Sequence, residues 1–135
     1  MNKYGAKKVE YKGIVFDSIA ECDYYKHIES RIENGIITNC ILQPKYELIP
    51  AFNKQRATNY VADFEITYID GQTEVIDIKG FATETALLKA KLFRYLHKDK
   101  NLIWLSKAPK YWNEDWIEYE TLKRVRKERK KGLMK

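Results

Sequence analysis

The stretch from Tyr60 to Lys79 is the most restrictive part of the chain. Tyr60-Val61-Ala62-Asp63-Phe64-Glu65-Ile66-Thr67-Tyr68-Ile69 is rich in β-branched and aromatic residues. Thr73-Glu74-Val75-Ile76-Asp77-Ile78-Lys79 follows after Asp70-Gly71, a pair suited to tight turns. The pattern predicts a β-hairpin centred on residue 70, which sets position 63 opposite position 77. Side chains alternate faces along a strand, so Asp63 and Glu65 share a face that Phe64, Ile66 and Tyr68 do not. Asp77 and Lys79 likewise share a face, with Ile76 and Ile78 on the other. Two carboxylates and an ammonium are therefore expected to converge.

Around this hairpin the other elements follow from local pattern. Val9-Glu10-Tyr11 and Ile14-Val15-Phe16 flank Lys12-Gly13 and predict a shorter hairpin. Ser18 precedes Glu21 by three, the capping-box spacing, and Cys22, Tyr25, Ile28 and Ile32 recur at helical intervals up to Asn34-Gly35. Ile36-Ile37 and Ile41-Leu42 lead to Gln43-Pro44, Tyr46 to Pro50 reads as a strand, and Ala51 to Asn59 as a polar loop. After Gly80, Thr83 or Thr85 caps a helix reaching about His97. Asn101 to Ser106 is an apolar strand, and Trp112, Trp116 and Tyr119 begin a last helix. The order ββ-α-β-ββ-α-β-α predicts an α/β protein with a mixed sheet flanked by helices.

Length and composition bound the possibilities. A chain of 135 residues, 44% hydrophobic and 33% charged, is sized for one domain and is too interrupted by charge to carry a membrane span. Lysines near the N-terminus have no apolar stretch behind them, so a cytoplasmic protein is expected. Cys22 and Cys40 lack metal-site or disulfide-framework spacing. The net charge of +6 is unevenly spread: residues 1–120 carry 17 Lys/Arg against 18 Asp/Glu, and residues 121–135 carry 8 against 1. A basic tail on a nearly neutral body suits a polyanion, with DNA the first candidate and a solvated helix end the plainer alternative.

Facing aspartates on adjacent strands repel, and strand interiors disfavour Asp, so the arrangement needs a cation. Mg²⁺ prefers hard oxygen ligands, often one or two carboxylates completed by water and substrate phosphate. Asp63 and Asp77 fit that role, with Mn²⁺ a substitute, and Lys79 is suited to orient water or neutralise phosphate oxygens. An edge-strand ion pair between Asp77 and Lys79 is the plainer reading, but it leaves Asp63 unexplained.

Asp63, thirteen intervening residues and then Asp77-Ile78-Lys79 resembles the PD-(D/E)xK nuclease signature, with Ala62 at the proline position. The wider pattern is Ala6-Lys7-Lys8, Phe16-Asp17-Ser18, Glu21, Leu42-Gln43-Pro44, Tyr60 to Phe64 and Asp77-Ile78-Lys79-Gly80. It resembles small phage-encoded members of that superfamily, of the endonuclease I or Holliday-junction-resolvase type, and the nicking subunit of certain transposases. The resemblance implies a restriction-endonuclease-like fold over residues 1–120, ahead of the basic tail 121–135, and a phage protein acting in a bacterial cytoplasm. It implies metal-dependent DNA cleavage, with Asp63 and Asp77 as metal ligands, Lys79 in the lysine role and Glu21 as the helix acid. A capping-box glutamate explains Glu21 equally well. Gln43 falls where the resemblance places an amide near the metal, although a turn amide is as natural.

For DNA contact the candidates are Lys7, Lys8, Lys89 and Lys91, with Lys123, Arg124, Arg126, Lys127, Lys130 and Lys131 in the tail. Such phosphate contacts give affinity without sequence choice. Trp104, Trp112 and Trp116 read as core residues before base-stacking ones, Glu65 as a solvated strand residue before a second-metal ligand, and His27 and His97 as packing or surface residues. Branched DNA and nicking both suit the resemblance. A symmetric junction needs two cuts, which a homodimer supplies; a monomeric nickase needs none. The competing function is a DNA-binding module without catalysis, although unneutralised acids beside a phosphate would oppose binding.

Overall fold

A computed structural model describes residues 7–132. The readings that fall on residues 1–6, including Ala6 of the resemblance, and on residues 133–135 lie outside it.

The elements are β1 (Val9–Tyr11), β2 (Ile14–Phe16), α1 (Ile19–Glu33), β3 (Ile37–Leu42), β4 (Lys45–Ile49), β5 (Thr58–Val61), β6 (Phe64–Tyr68), β7 (Thr73–Ile78), α2 (Glu84–Leu96), β8 (Leu102–Lys107), β9 (Trp116–Glu118) and α3 (Tyr119–Lys130). The central sheet has five strands in the order β3-β6-β7-β8-β9, and β1-β2 and β4-β5 form separate two-stranded ribbons. Only β7 and β8 run parallel, joined through α2; the other pairs are antiparallel. The chain is thus α/β with a mixed sheet flanked by helices.

The central hairpin has the expected register. Phe64 pairs with Ile76 and Thr67 with Thr73. Gly71 at φ 88° turns the chain, and Asp70 Oδ1 accepts the Gln72 N–H at 2.9 Å, closing an Asx turn. Alternation divides the core into two clusters. On one side Phe64, Ile66 and Ile76 pack with Cys22, Tyr24 and Ile28 of α1 and with Phe16. On the other, Val75, Leu102 and Trp104 pack with Tyr46 and Tyr60 of the β4–β5 ribbon, Phe93 of α2 and Tyr119 of α3.

The expected element order changes in four places. The run read as one strand from Tyr60 divides into β5, which pairs with β4, and β6, which joins the central sheet. The run Ile37–Leu42 forms a full edge strand, β3. The loop expected from Ala51 to Asn59 ends where β5 begins, at Thr58. Trp116 lies in β9, paired with Lys107, so the last helix begins only at Tyr119. Residues 121–130 belong to α3, whose Leu122 and Val125 are buried, so most of the basic tail is a helix docked on the domain. Among the described residues no helix is long and apolar enough to cross a membrane. Cys22 and Cys40 are free thiols.

Candidate active site

The division between β5 and β6 creates the site. At the crossover, Ala62 N–H donates to Pro44 C=O at 3.1 Å and Asp63 N–H to Ile76 C=O at 3.1 Å, while Asp63 C=O accepts Gln43 N–H at 2.9 Å. Asp63 is thereby gripped from both sides at the end of the sheet where β7 terminates. Its Oδ2 accepts the backbone N–H of Ile78 at 2.7 Å, so the carboxylate reaches across to the Asp77-Ile78-Lys79 strand end.

Asp77 is 3% exposed, buried in the core. A carboxylate removed from water needs partners, and Asp77 Oδ2 has two: the Tyr60 hydroxyl donates to it, and Lys79 Nζ lies 3.5 Å away. Lys79 follows β7 directly. Its backbone N–H donates to Leu105 C=O at 2.7 Å, its C=O accepts the Ser106 hydroxyl, and its ammonium lies 5.0 Å from the Trp104 ring centroid.

Glu21 enters from the first turn of α1. Its N–H donates to Ser18 Oγ at 3.1 Å, so the helix cap forms as expected. Burial first, and then the charges of Asp17 and Asp77, push its carboxyl up to about 7 against the pull of hydrogen bonds from the Asp17 backbone and Ser18. Glu21 is therefore both a cap residue and a member of the acid cluster. Asp63 is pushed strongly upward too, by burial and then by Asp77 and Glu21.

The Asp77 charge raises the proton affinity of both Asp63 and Glu21, so the three carboxylates form a donor set short of positive charge. Hard oxygen donors of this kind suit Mg²⁺. Among the described residues no group of three or more His, Cys, Asp or Glu side chains closes into a metal cage in this conformation. Mg²⁺ sites commonly need only one or two protein carboxylates, the remainder of the shell being water and substrate.

Gln43 is at the site. It adopts φ 49°, an uncommon backbone for a side chain with a Cβ, and lines a small pocket with Glu21, Asp63 and Phe64. A larger cleft of about 620 Å³ runs between α1, the β7–α2 connection and α3, bounded among others by Glu21, Lys79, Ser106 and Arg126. Of the ten basic residues proposed for DNA contact, Arg126 is the one that lines this cleft. Lys8 pairs with Asp17 at 3.6 Å, and Arg124 with Glu128 at 3.1 Å. Lys7, Lys127, Lys130 and Lys131 are exposed, and Lys123 leans over the Tyr119 ring. Lys89 and Lys91 sit on α2 outside the cleft lining.

Glu65 is not solvated: it binds the Tyr46 hydroxyl and pairs with Lys100 at 3.4 Å. Trp104 is buried, as expected of a core residue, but its indole N–H donates to the Tyr60 hydroxyl at 2.8 Å. Tyr60 and Trp104 are the neighbours of Asp77 that sequence reasoning missed. Alternation along an unbroken strand sets Tyr60 and Asp63 on opposite faces; the break at Ala62-Asp63 brings Tyr60 round to Asp77.

Residues 1–113 match the model of a family described as "Protein of unknown function (DUF1064)". The chain belongs to the DUF1064 family. No curated protein matches it, and no solved structure does. The DUF1064 match spans Glu21, Gln43, Asp63, Asp77 and Lys79 and stops short of α3.

Proposed function

We propose that this DUF1064 protein is a metal-dependent DNA endonuclease of PD-(D/E)xK type, acting on branched DNA or as a nickase in phage replication or recombination. The observation that carries the reading is the clustering of Asp63 and Glu21 with Asp77 at the end of the central hairpin, with the Lys79 ammonium 3.5 Å from Asp77. The mixed α/β sheet is compatible with it.

Asp63, Asp77 and Glu21 would hold the ion. Bound Mg²⁺, or Mn²⁺ in its place, supplies Lewis-acid stabilisation of a phosphodiester and a water of lowered pKa. Asp77, desolvated and held by Tyr60 and Lys79, stays fixed in position during the reaction. Lys79, anchored through its own peptide to Leu105 and Ser106, meets negative charge developing on the phosphate or orients the attacking water. Arg126 on the cleft wall and the exposed lysines of α3 attract the DNA backbone.

A non-catalytic DNA-binding module is the competing reading, favoured by the basic face of α3. It gives no reason for burying Asp77 beside two further acids that repel phosphate. Supercoiled, linear and four-way-junction DNA incubated with the protein in Mg²⁺ or EDTA separates the two. Cutting that requires Mg²⁺ and is lost in Asp77→Ala and Lys79→Ala is expected. DNA binding without cutting in Mg²⁺ or Mn²⁺ would assign the fold to binding alone.

A further inference from the structure

The groups behind Asp77 and Lys79 form a connected unit. Asp77 on β7 and Trp104 on β8 are register partners in the parallel pair. Tyr60 arrives from the β4–β5 ribbon and is held by Phe93 of α2, ring centroids 5.3 Å apart. Trp104 is held in turn by Tyr119 of α3, edge-on at 5.6 Å. All three members of the unit are nearly sealed from solvent: Asp77 3%, Tyr60 4% and Trp104 5% exposed.

The direction of each hydrogen bond follows from the donor inventory. An indole N–H can only donate, so Trp104 occupies a lone pair of the Tyr60 oxygen. The single phenolic proton is then left for Asp77. The indole that makes the N–H bond also has the Lys79 ammonium 5.0 Å from its ring centroid.

A buried Tyr or Trp usually finds some polar partner. Here the Tyr60 hydroxyl has Asp77 as its partner, the Trp104 N–H has Tyr60, and the Trp104 ring face has Lys79. We infer that Tyr60 and Trp104 are positioning residues: the Trp104 indole orients Tyr60 so that its hydroxyl holds Asp77, while the indole face holds Lys79. The inference rests on the endonuclease reading for its consequence, since a held Asp77 is a better metal ligand than a rotating one. Partners outside the ligand shell of this kind typically change metal affinity by about 10–100-fold.

The test uses the full chain labelled with ¹⁵N. In EDTA, the indole N–H resonance of Trp104, assigned by its loss in Trp104→Phe, should shift in Asp77→Asn, two hydrogen bonds away. In a Mg²⁺ titration followed by melting temperature, half-saturation should rise about 10–100-fold in Tyr60→Phe. Trp104→Phe keeps an aromatic face for Lys79 and removes the N–H donor along with part of the ring, so it should weaken Mg²⁺ binding in the same direction and serves if Tyr60→Phe fails to fold. A Trp104 resonance indifferent to Asp77→Asn overturns the relay whether or not metal binds. Unchanged half-saturation in both folded variants overturns the positioning role and leaves the endonuclease reading intact. Wild-type protein that binds neither Mg²⁺ nor Mn²⁺ removes the endonuclease reading and with it the positioning role, the resonance still deciding whether the relay exists.

Discussion

The Ile78 backbone N–H donates to Asp63 Oδ2 at 2.7 Å, tying the acid at the start of β6 to the strand end that carries Asp77 and Lys79. Asparagine keeps an oxygen acceptor for that bond and loses only the charge. Asp63→Asn is therefore expected to fold and to melt higher than wild type in EDTA, because repulsion with Asp77 and Glu21 is relieved. Its cleavage rate should fall by more than the about 10–100-fold typical of groups behind a metal ligand. Paired melting and cleavage assays check both; a variant that melts lower without metal would contradict the repulsion.

The raised carboxyls make a pH prediction with a definite sign. A carboxyl held up in the folded state binds more protons than in the unfolded chain, so stability is highest at low pH and declines as pH rises. For Glu21 the decline runs from about 4.5 to about 7, and Asp63 adds to it in the same direction. Melting temperature in EDTA should drop by several degrees between pH 5 and pH 8, at roughly 3–5 °C per kcal/mol for a domain of this size. Mg²⁺ should recover most of the loss, and Glu21→Gln should flatten the EDTA profile. A melting temperature that rises with pH in EDTA would contradict the acid cluster.

α3 combines a core face with a charged one. Leu122 is 4% and Val125 1% exposed, so Leu122→Ala should cost about 2–4 kcal/mol in denaturant melts. Removing residues 121–135 would strip the same buried side chains from the core and confound a binding test. Neutralising Lys127, Lys130 and Lys131 to Gln should leave the fold intact, since all three are exposed. It should lower DNA affinity and reduce the salt slope by about 0.9 for each duplex phosphate that is no longer neutralised. A slope equal to wild type would take these lysines out of the interface.

At φ 49°, Gln43 occupies backbone space that glycine adopts at little cost. Gln43→Gly should leave stability unchanged or raise it by up to about 1 kcal/mol, while slowing cleavage through loss of an amide beside Glu21 and Asp63. Gln43→Asn, which tolerates the same backbone, should slow it less. Stability gained with no change in rate would leave Gln43 as a turn residue alone.

The β6–β7 hairpin is legible in the amino-acid sequence because everything that specifies it is local. Asp70-Gly71 sets the turn, and a period of two assigns Asp77 and Lys79 to one face and Ile76 and Ile78 to the other, a register realised from Phe64↔Ile76 to Thr67↔Thr73. The caps at Ser18 and Thr83 are legible for the same reason, each lying within one turn of the N–H it accepts. The break at Ala62-Asp63 is not. Tyr60 to Ile69 is continuous in β propensity, and only the competition between β4 and β7 for pairing partners divides it. β3 and β9 likewise exist because an adjacent strand offers a ladder.

By itself, then, the sequence determined the hairpin, the approach of Asp63 to Asp77 and Lys79, and the surplus of positive charge near the C-terminus, all of them properties of short stretches of chain. Tertiary structure alone decided that Glu21 joins the acids, that Tyr60 and Trp104 stand behind Asp77, and that Arg126 lines the same cleft as Lys79. Tyr60 lies 17 positions from Asp77 and Trp104 27, Glu21 lies 42 from Asp63, and Arg126 lies 47 from Lys79. They meet where the helices and the β4–β5 ribbon bury their apolar faces against the sheet, and no local periodicity records which helix face lands beside which strand end.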